Sequence, residues 1–168
     1  WYACACCPPN LVRLVMSLGK YAWSESESTI YSHLFIGGQA SFEKAQIQVK
    51  SSYPWEPKTE YIVSPKTAGD KFTLAIRIPA YAKNCRLYVN GKENALDNIM
   101  KKGYAYVSRN WSKDDKVEII FDMPVRRVYC NTSVRDNEGC VALLRGPIVY
   151  AFEGVDNGDK LQELRVPR

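Results

Sequence analysis

Ile30-Tyr31-Ser32-His33-Leu34-Phe35-Ile36, closed by Gly37-Gly38, is the stretch that decides the fold. Ile30, Leu34 and Ile36 fall on one side of a period-two pattern, which is the signature of a strand with one buried face. The same period returns downstream. Ile47 and Val49 alternate with Gln46 and Gln48, and strand runs follow at 60–63, 72–78, 85–89, 104–107 and 117–121. Two more, 125–130 and 140–144, lead into Pro147-Ile148-Val149-Tyr150. Turn-forming residues separate them: Tyr53-Pro54-Trp55-Glu56-Pro57, Ala68-Gly69-Asp70 and Lys113-Asp114-Asp115. Asn90-Gly91, behind Tyr88-Val89, is a hairpin signal, because both residues tolerate the positive φ that a tight turn demands. Many short, closely spaced strands with no second convincing helix predict a mainly β protein. The expected form is an antiparallel, jelly-roll-like β-sandwich over residues 29–168, with its two-sheet body between about 30 and 152.

Upstream of residue 28 the period is different. Leu11, Leu14, Val15 and Leu18 stand at i, i+3, i+4 and i+7, the apolar stripe of an amphipathic helix over residues 8–20. Pro8-Pro9 suits its first turn, Asn10 suits a cap, and Gly19 is placed to end it. Ser24-Glu25-Ser26-Glu27-Ser28 reads as a solvated connector to the sandwich. A single helix of this length is not stable alone, so the stripe is expected to find cover from the sandwich, from a second copy, or from a larger body.

Composition sets the outer limits. The 168 residues are enough for a hydrophobic core, and 11 Tyr, 5 Phe and 4 Trp exclude a disordered chain. The net charge of +5 is modest, and the basic residues are scattered rather than striped, so no nucleic-acid partner is expected. No apolar run approaches membrane-spanning length, so no membrane partner is expected either. The chain opens on Trp1-Tyr2-Ala3-Cys4 with neither an initiator Met nor a signal-type apolar segment, which suggests a piece of a longer protein.

The densest chemistry is Cys4-Ala5-Cys6-Cys7-Pro8-Pro9-Asn10. Cys6 and Cys7 stand just ahead of a helix N-terminus, where unpaired N–H groups and the positive end of the helix dipole favour thiolate over thiol. A thiolate is both a nucleophile and a soft ligand for zinc. The pair is therefore a candidate nucleophile, a candidate zinc half-site, or two small residues packed at a helix entry. Cys4 is a possible third ligand, and His33, the sole histidine, reads as an ordinary hydrogen-bonded strand residue. Cys85 and Cys140, in apolar strand contexts, read as small buried hydrophobes.

Trp1-Tyr2-Ala3-Cys4-Ala5-Cys6-Cys7-Pro8-Pro9-Asn10, with Arg13-Leu14 and Ser17-Leu18-Gly19, resembles the Cys-Cys-Pro-Pro-Asn signature of glycoside hydrolase family 127, the β-L-arabinofuranosidase group. Later blocks keep that family's order: Tyr53-Pro54-Trp55, 74–79, 87–91, Met123-Pro124-Val125-Arg126 and 144–150. The resemblance implies that residues 1–28 are the end of an (α/α)6-barrel catalytic domain, joined to the sandwich at 29. It implies a zinc-dependent retaining hydrolase acting on arabinofuranosides or related plant oligosaccharides, with Cys6 as nucleophile and Cys6 and Cys7 as part of the zinc site. Its acid/base Glu and remaining ligands would precede the Cys-Cys turn, so this chain alone is expected to be inactive. Glu43, Glu60 and Glu118 match no catalytic motif.

Two other functions stay open on the residues alone. One is a non-catalytic sandwich that binds carbohydrate or serves assembly. The other is a thiol metal or redox module on Cys4, Cys6 and Cys7. Tyr53 and Trp55 are read as turn anchors before sugar platforms, and Arg77 and Arg126 as half-buried, paired strand residues.

Overall fold

The computed structural model describes residues 6–167. By contact density the chain divides into two compact units, Trp1–Asp122 and Met123–Arg168.

The first unit begins with α1 (Cys7–Ala22). Pro8 and Pro9 fall in its first turn, where a missing N–H breaks no helical bond. Cys6, not Asn10, is the cap residue. Asn10 lies inside the helix, and its side-chain amide donates back to the Cys6 carbonyl at 2.7 Å. The helix also runs through Gly19. It stops at Trp23, which turns extended (φ −141°, ψ 152°) while its N–H bonds to Gly19 O. Strand pairing of Trp23 with Ser32, rather than a glycine cap, ends the helix.

Eleven strands follow: β1 (Trp23–Glu25), β2 (Thr29–Ser32), β3 (Gly38–Ser41), β4 (Ala45–Ser51), β5 (Lys58–Pro65), β6 (Lys71–Arg77), β7 (Arg86–Val89), β8 (Lys92–Asn94), β9 (Met100–Lys101), β10 (Tyr104–Asn110) and β11 (Asp115–Ile120). They form a five-stranded sheet ordered β1-β2-β6-β10-β9 and a six-stranded sheet ordered β3-β4-β5-β11-β7-β8. Part of the expected connector is therefore strand β1, with Ser24 opposite Tyr31. Pairing is antiparallel except between β2 and β6, which run parallel from Thr29↔Thr73 to Ser32↔Ile76. Between them the chain builds β3–β5 in the other sheet, the long crossover that a parallel pair requires.

Alternation along the strands fills the layer between the sheets. Ala45, Ile47 and Val49 of β4, Thr59, Tyr61 and Val63 of β5, and Phe72, Leu74 and Ile76 of β6 are buried. Ser32 Oγ meets the Tyr61 hydroxyl at 2.9 Å, joining β2 of one sheet to β5 of the other. Trp111, fully buried, stacks on Phe72 and donates its indole N–H to Phe72 O at 2.9 Å. The Asn90-Gly91 turn between β7 and β8 takes the expected positive φ at both residues, 51° and 78°.

The second unit holds β12 (Val125–Tyr129), β13 (Val141–Arg145) and β14 (Ile148–Tyr150), in that order in one antiparallel sheet. The expectation of one sandwich to residue 168 differs from this: the two-sheet body is built from β1–β11, and β12–β14 form a separate three-stranded sheet. Gly146 makes the β13–β14 turn at φ 57°, where an added Cβ would sit 2.6 Å from Met123 Sδ. The left-handed backbone and the Met123 side chain together favour glycine there.

Candidate active site

Cys6 and Cys7 stand at the N-terminus of α1, both exposed, with their sulfurs 3.5 Å apart. The two cysteines therefore present one donor pair rather than separate thiols. Asn10 holds the Cys6 carbonyl, and Arg13 Nη1 donates to Asn10 Oδ1 at 2.7 Å. Ser17 Oγ continues the line by donating to Arg13 O at 2.7 Å. Asn10 and Arg13 thus brace the residue that carries the first thiol, a role that composition did not single out. Their spacings from Cys6 to Asn10 (i+4) and from Asn10 to Arg13 (i+3) are those of neighbours on one helix face, which is the signal that could have found them.

The chemistry of the donor set fits zinc. Two sulfurs each about 2.3 Å from a tetrahedral zinc stand about 3.8 Å apart, near the separation here. The set is also incomplete, since no group of three or more His, Cys, Asp or Glu side chains that could hold a metal exists among the described residues. Cys4, the possible third ligand, lies outside the described residues.

The other candidates are engaged elsewhere. His33 is bonded on both ring nitrogens, Nε2 to Ser24 Oγ and Nδ1 to the Tyr104 hydroxyl, each at 2.8 Å. Burial and then the Arg77 charge hold its pKa below the ordinary histidine value. It sits in an aromatic cluster with Tyr31, Tyr104 and Tyr106 on the outer face of the five-stranded sheet, where small Ala75 lies between Tyr31 and Tyr106 in the register. Glu60 pairs with Lys50 at 3.5 Å, Glu118 pairs with Lys58, and the Glu43 N–H donates to the Glu25 carboxylate. Tyr53 packs on Phe35 and Phe121 and bonds the Tyr81 hydroxyl, as a turn anchor should. Trp55 is 70% exposed. Arg77 is exposed rather than half-buried; Arg126 is half-buried and bonds Gly146 O. Cys85 is half-buried, and burial pushes its thiol pKa up. Cys140 is exposed, contrary to expectation, because β13 belongs to a single small sheet and not to the sandwich.

The apolar stripe of α1 is uncovered. Leu11, Leu14, Val15 and Leu18 are 63, 51, 62 and 36% exposed, and Ala22 is the helix's buried residue. The sandwich does not supply the expected cover.

Comparison with known proteins gives the family. The sequence model of the β-L-arabinofuranosidase GH127 middle domain matches residues 29–123, and that of the glycoside hydrolase family 127 C-terminal domain matches 125–168. The chain belongs to glycoside hydrolase family 127. The boundary between the two family domains falls where the structure divides its two units. The non-reducing end β-L-arabinofuranosidase of Bifidobacterium longum subsp. longum is 36% identical over 172 residues, covering 99% of this chain and 26% of the relative. The crystal structure of a GH127 β-L-arabinofuranosidase from Geobacillus stearothermophilus T6 superimposes with a TM-score of 0.86 at 41% identity, over 96% of this chain and 26% of that one. A further GH127 β-arabinofuranosidase structure gives 0.78 at 29% identity, over 89% and 26%. The chain thus spans about a quarter of the length of these family 127 relatives.

Proposed function

We propose that this chain supplies the thiol end of the active site and the β domains of a zinc-dependent retaining glycoside hydrolase acting on β-L-arabinofuranosides or related plant oligosaccharides. The observation that carries the reading is the Cys6–Cys7 pair, two exposed sulfurs 3.5 Å apart at a helix N-terminus. Cys6 and Cys7 would hold the metal, which when bound keeps sulfur deprotonated and tempers it as a leaving group.

Cys6 Sγ is the nucleophile. Its lone pair forms a bond to the anomeric carbon as the glycosidic C–O bond breaks. A general acid gives the departing oxygen its proton, and the same group then takes a proton from water as that water releases the sugar from sulfur. Two displacements at one carbon retain configuration, the course usually run by a carboxylate pair. The helix N-terminus adds a small stabilisation of the sulfur anion, about 1 kcal/mol or less at an exposed site. Asn10, bonded to the Cys6 carbonyl and braced by Arg13, fixes the backbone from which Cys6 projects.

The chain alone hydrolyses nothing in this reading. Zinc wants about four ligands, and the pair offers two. The acid/base carboxyl and the walls that orient the sugar belong to the rest of the protein. The test uses this chain by itself and a protein of the relatives' length that contains it, both assayed on an aryl β-L-arabinofuranoside with added zinc. Turnover by the long protein only, abolished by Cys6→Ser, is expected. Turnover by the chain alone, or an unimpaired Cys6→Ser enzyme, contradicts the assignment.

A further inference from the structure

Two other cysteines flank one loop far from this site in sequence. Tyr129, the last residue of β12, is the register partner of Val141, the first residue of β13. Cys130 and Cys140 are the next residues on either side, just beyond that last ladder pair. Asn137 O joins them, accepting the Cys140 N–H at 3.0 Å and lying 3.4 Å from Cys130 Sγ. Both cysteines are free and exposed, and both line one cavity of about 430 Å³ with Val134, Arg135 and Glu138. We propose that Cys130 and Cys140 form a disulfide that closes the β12–β13 loop, with a small-molecule disulfide such as oxidised glutathione as the oxidant.

The last ladder pair, Tyr129 and Val141, holds the two strand ends together beside the cysteines. Directly opposed residues of antiparallel strands have Cα atoms about 4.5–5.5 Å apart, within the roughly 4.4–6.8 Å that a disulfide spans. The loop between them is already folded back: Val134 N–H bonds Asn131 O, residues Arg135–Asn137 form a 3-10 turn, and Gly139 takes φ 78°. The Cys130 thiol has only weak sulfur contacts to give up, 3.4 and 3.8 Å from the Asn137 and Val134 carbonyls. A thiol is a weak donor, so turning it toward Cys140 costs little. Exposure lets a soluble disulfide reach either sulfur.

The exchange balances in two steps. One cysteine thiolate attacks a sulfur of oxidised glutathione, forming a mixed disulfide and expelling one glutathione thiolate. The second cysteine, as thiolate, attacks the protein-side sulfur, forms the Cys130–Cys140 bond and expels the second glutathione. The protein loses two electrons and two protons, which leave as two glutathione thiols.

The sequence provides its own assay. Trypsin cuts after Arg127, Arg135 and Arg145, so each cysteine falls in a separate peptide, 128–135 and 136–145. The intact chain is equilibrated with excess oxidised glutathione, its remaining thiols are alkylated, and the digest is weighed without reductant. The expected result is that most of both peptides run as one linked species that dithiothreitol separates. In Cys130→Ser the peptide 136–145 should instead retain glutathione, because no second thiol is in reach to release it. Recovery of 128–135 and 136–145 as separate alkylated or glutathione-bearing peptides from the parent chain overturns the proposal. So does linkage of either one to the peptides of Cys6, Cys7 or Cys85.

Discussion

Helix α1 and the sandwich it enters are built on opposite terms. The sandwich buries its strands on residues that leave almost no surface: Tyr61, Leu74, Trp111 and Ile119 are 0% exposed. The helix is as apolar along one stripe, yet Leu14 and Val15 are half or more exposed. The sandwich thus covers its own apolar residues, whereas the stripe of α1 has no cover among the described residues. The Cys6–Cys7 pair sits at the start of the second kind of element. Reactive groups lie where domains meet in many enzymes, because a pocket needs walls from more than one body.

The largest effect should come from truncating the scaffold. Trp111→Ala removes a buried indole, its bond to Phe72 O and its stacking on Phe72. A loss of about 3–5 kcal/mol in denaturant unfolding is expected. Leu14→Ala, of comparable apolarity but uncovered, should stay within about 0.5 kcal/mol in this chain. Equal costs for the two would erase the contrast. In a protein of the relatives' length the Leu14 change should become expensive if a further domain covers the stripe there.

A smaller effect tests the seam between the sheets. Ser32→Ala leaves the buried Tyr61 hydroxyl without its 2.9 Å partner, at a cost of about 1–3 kcal/mol. Burial already holds the Tyr61 pKa above the ordinary tyrosine value, so ionisation offers no escape. An unchanged midpoint in urea would show that the seam is slack.

Exposed apolar surface also predicts association. At high concentration this chain should sediment as more than a monomer, and Leu14→Glu should return it to the monomer. A parent chain that stays monomeric throughout would show that the stripe is tolerated in water.

What the sequence disclosed follows the same division. Strands with a buried face were legible because alternation is local: β4 and β6 appear where Ile47-Gln48-Val49 and Phe72-Thr73-Leu74 placed them. The parallel β2–β6 pair was not, because strand direction depends on where the intervening chain goes. Asn10 and Gly19 were misplaced as caps because each has the right local preference. The prolines and the Trp23–Ser32 pairing overrode them. Nothing in the composition marks the division after Asp122, since strand-like alternation continues through Val125 into a sheet too small to bury Cys140. At the site, the cysteine pair was plain from its motif. The Arg13–Asn10–Cys6 brace needed the helix register to appear.

The smallest effect concerns pH. Burial and Arg77 lower the His33 pKa in the folded chain, so the unfolded chain takes up its proton first as pH falls. The contribution of His33 is complete above the ordinary value near 6.5. It shrinks as pH drops below that value, until the folded ring also protonates. His33→Gln should flatten this modest slope in denaturation curves taken from pH 8 to pH 5. A slope that survives the substitution would assign it to another group.

The central claim is that Cys6 sulfur bonds to sugar during turnover. The direct measurement is peptide mass analysis of a protein of the relatives' length containing this chain, loaded with zinc and quenched in acid during steady-state turnover of an activated β-L-arabinofuranoside. A pentosyl adduct on the peptide ending at Arg13, localised to Cys6 and lost in Cys6→Ser, is the predicted result. An active enzyme that carries its adduct on a carboxylate, or on Cys7, would contradict it.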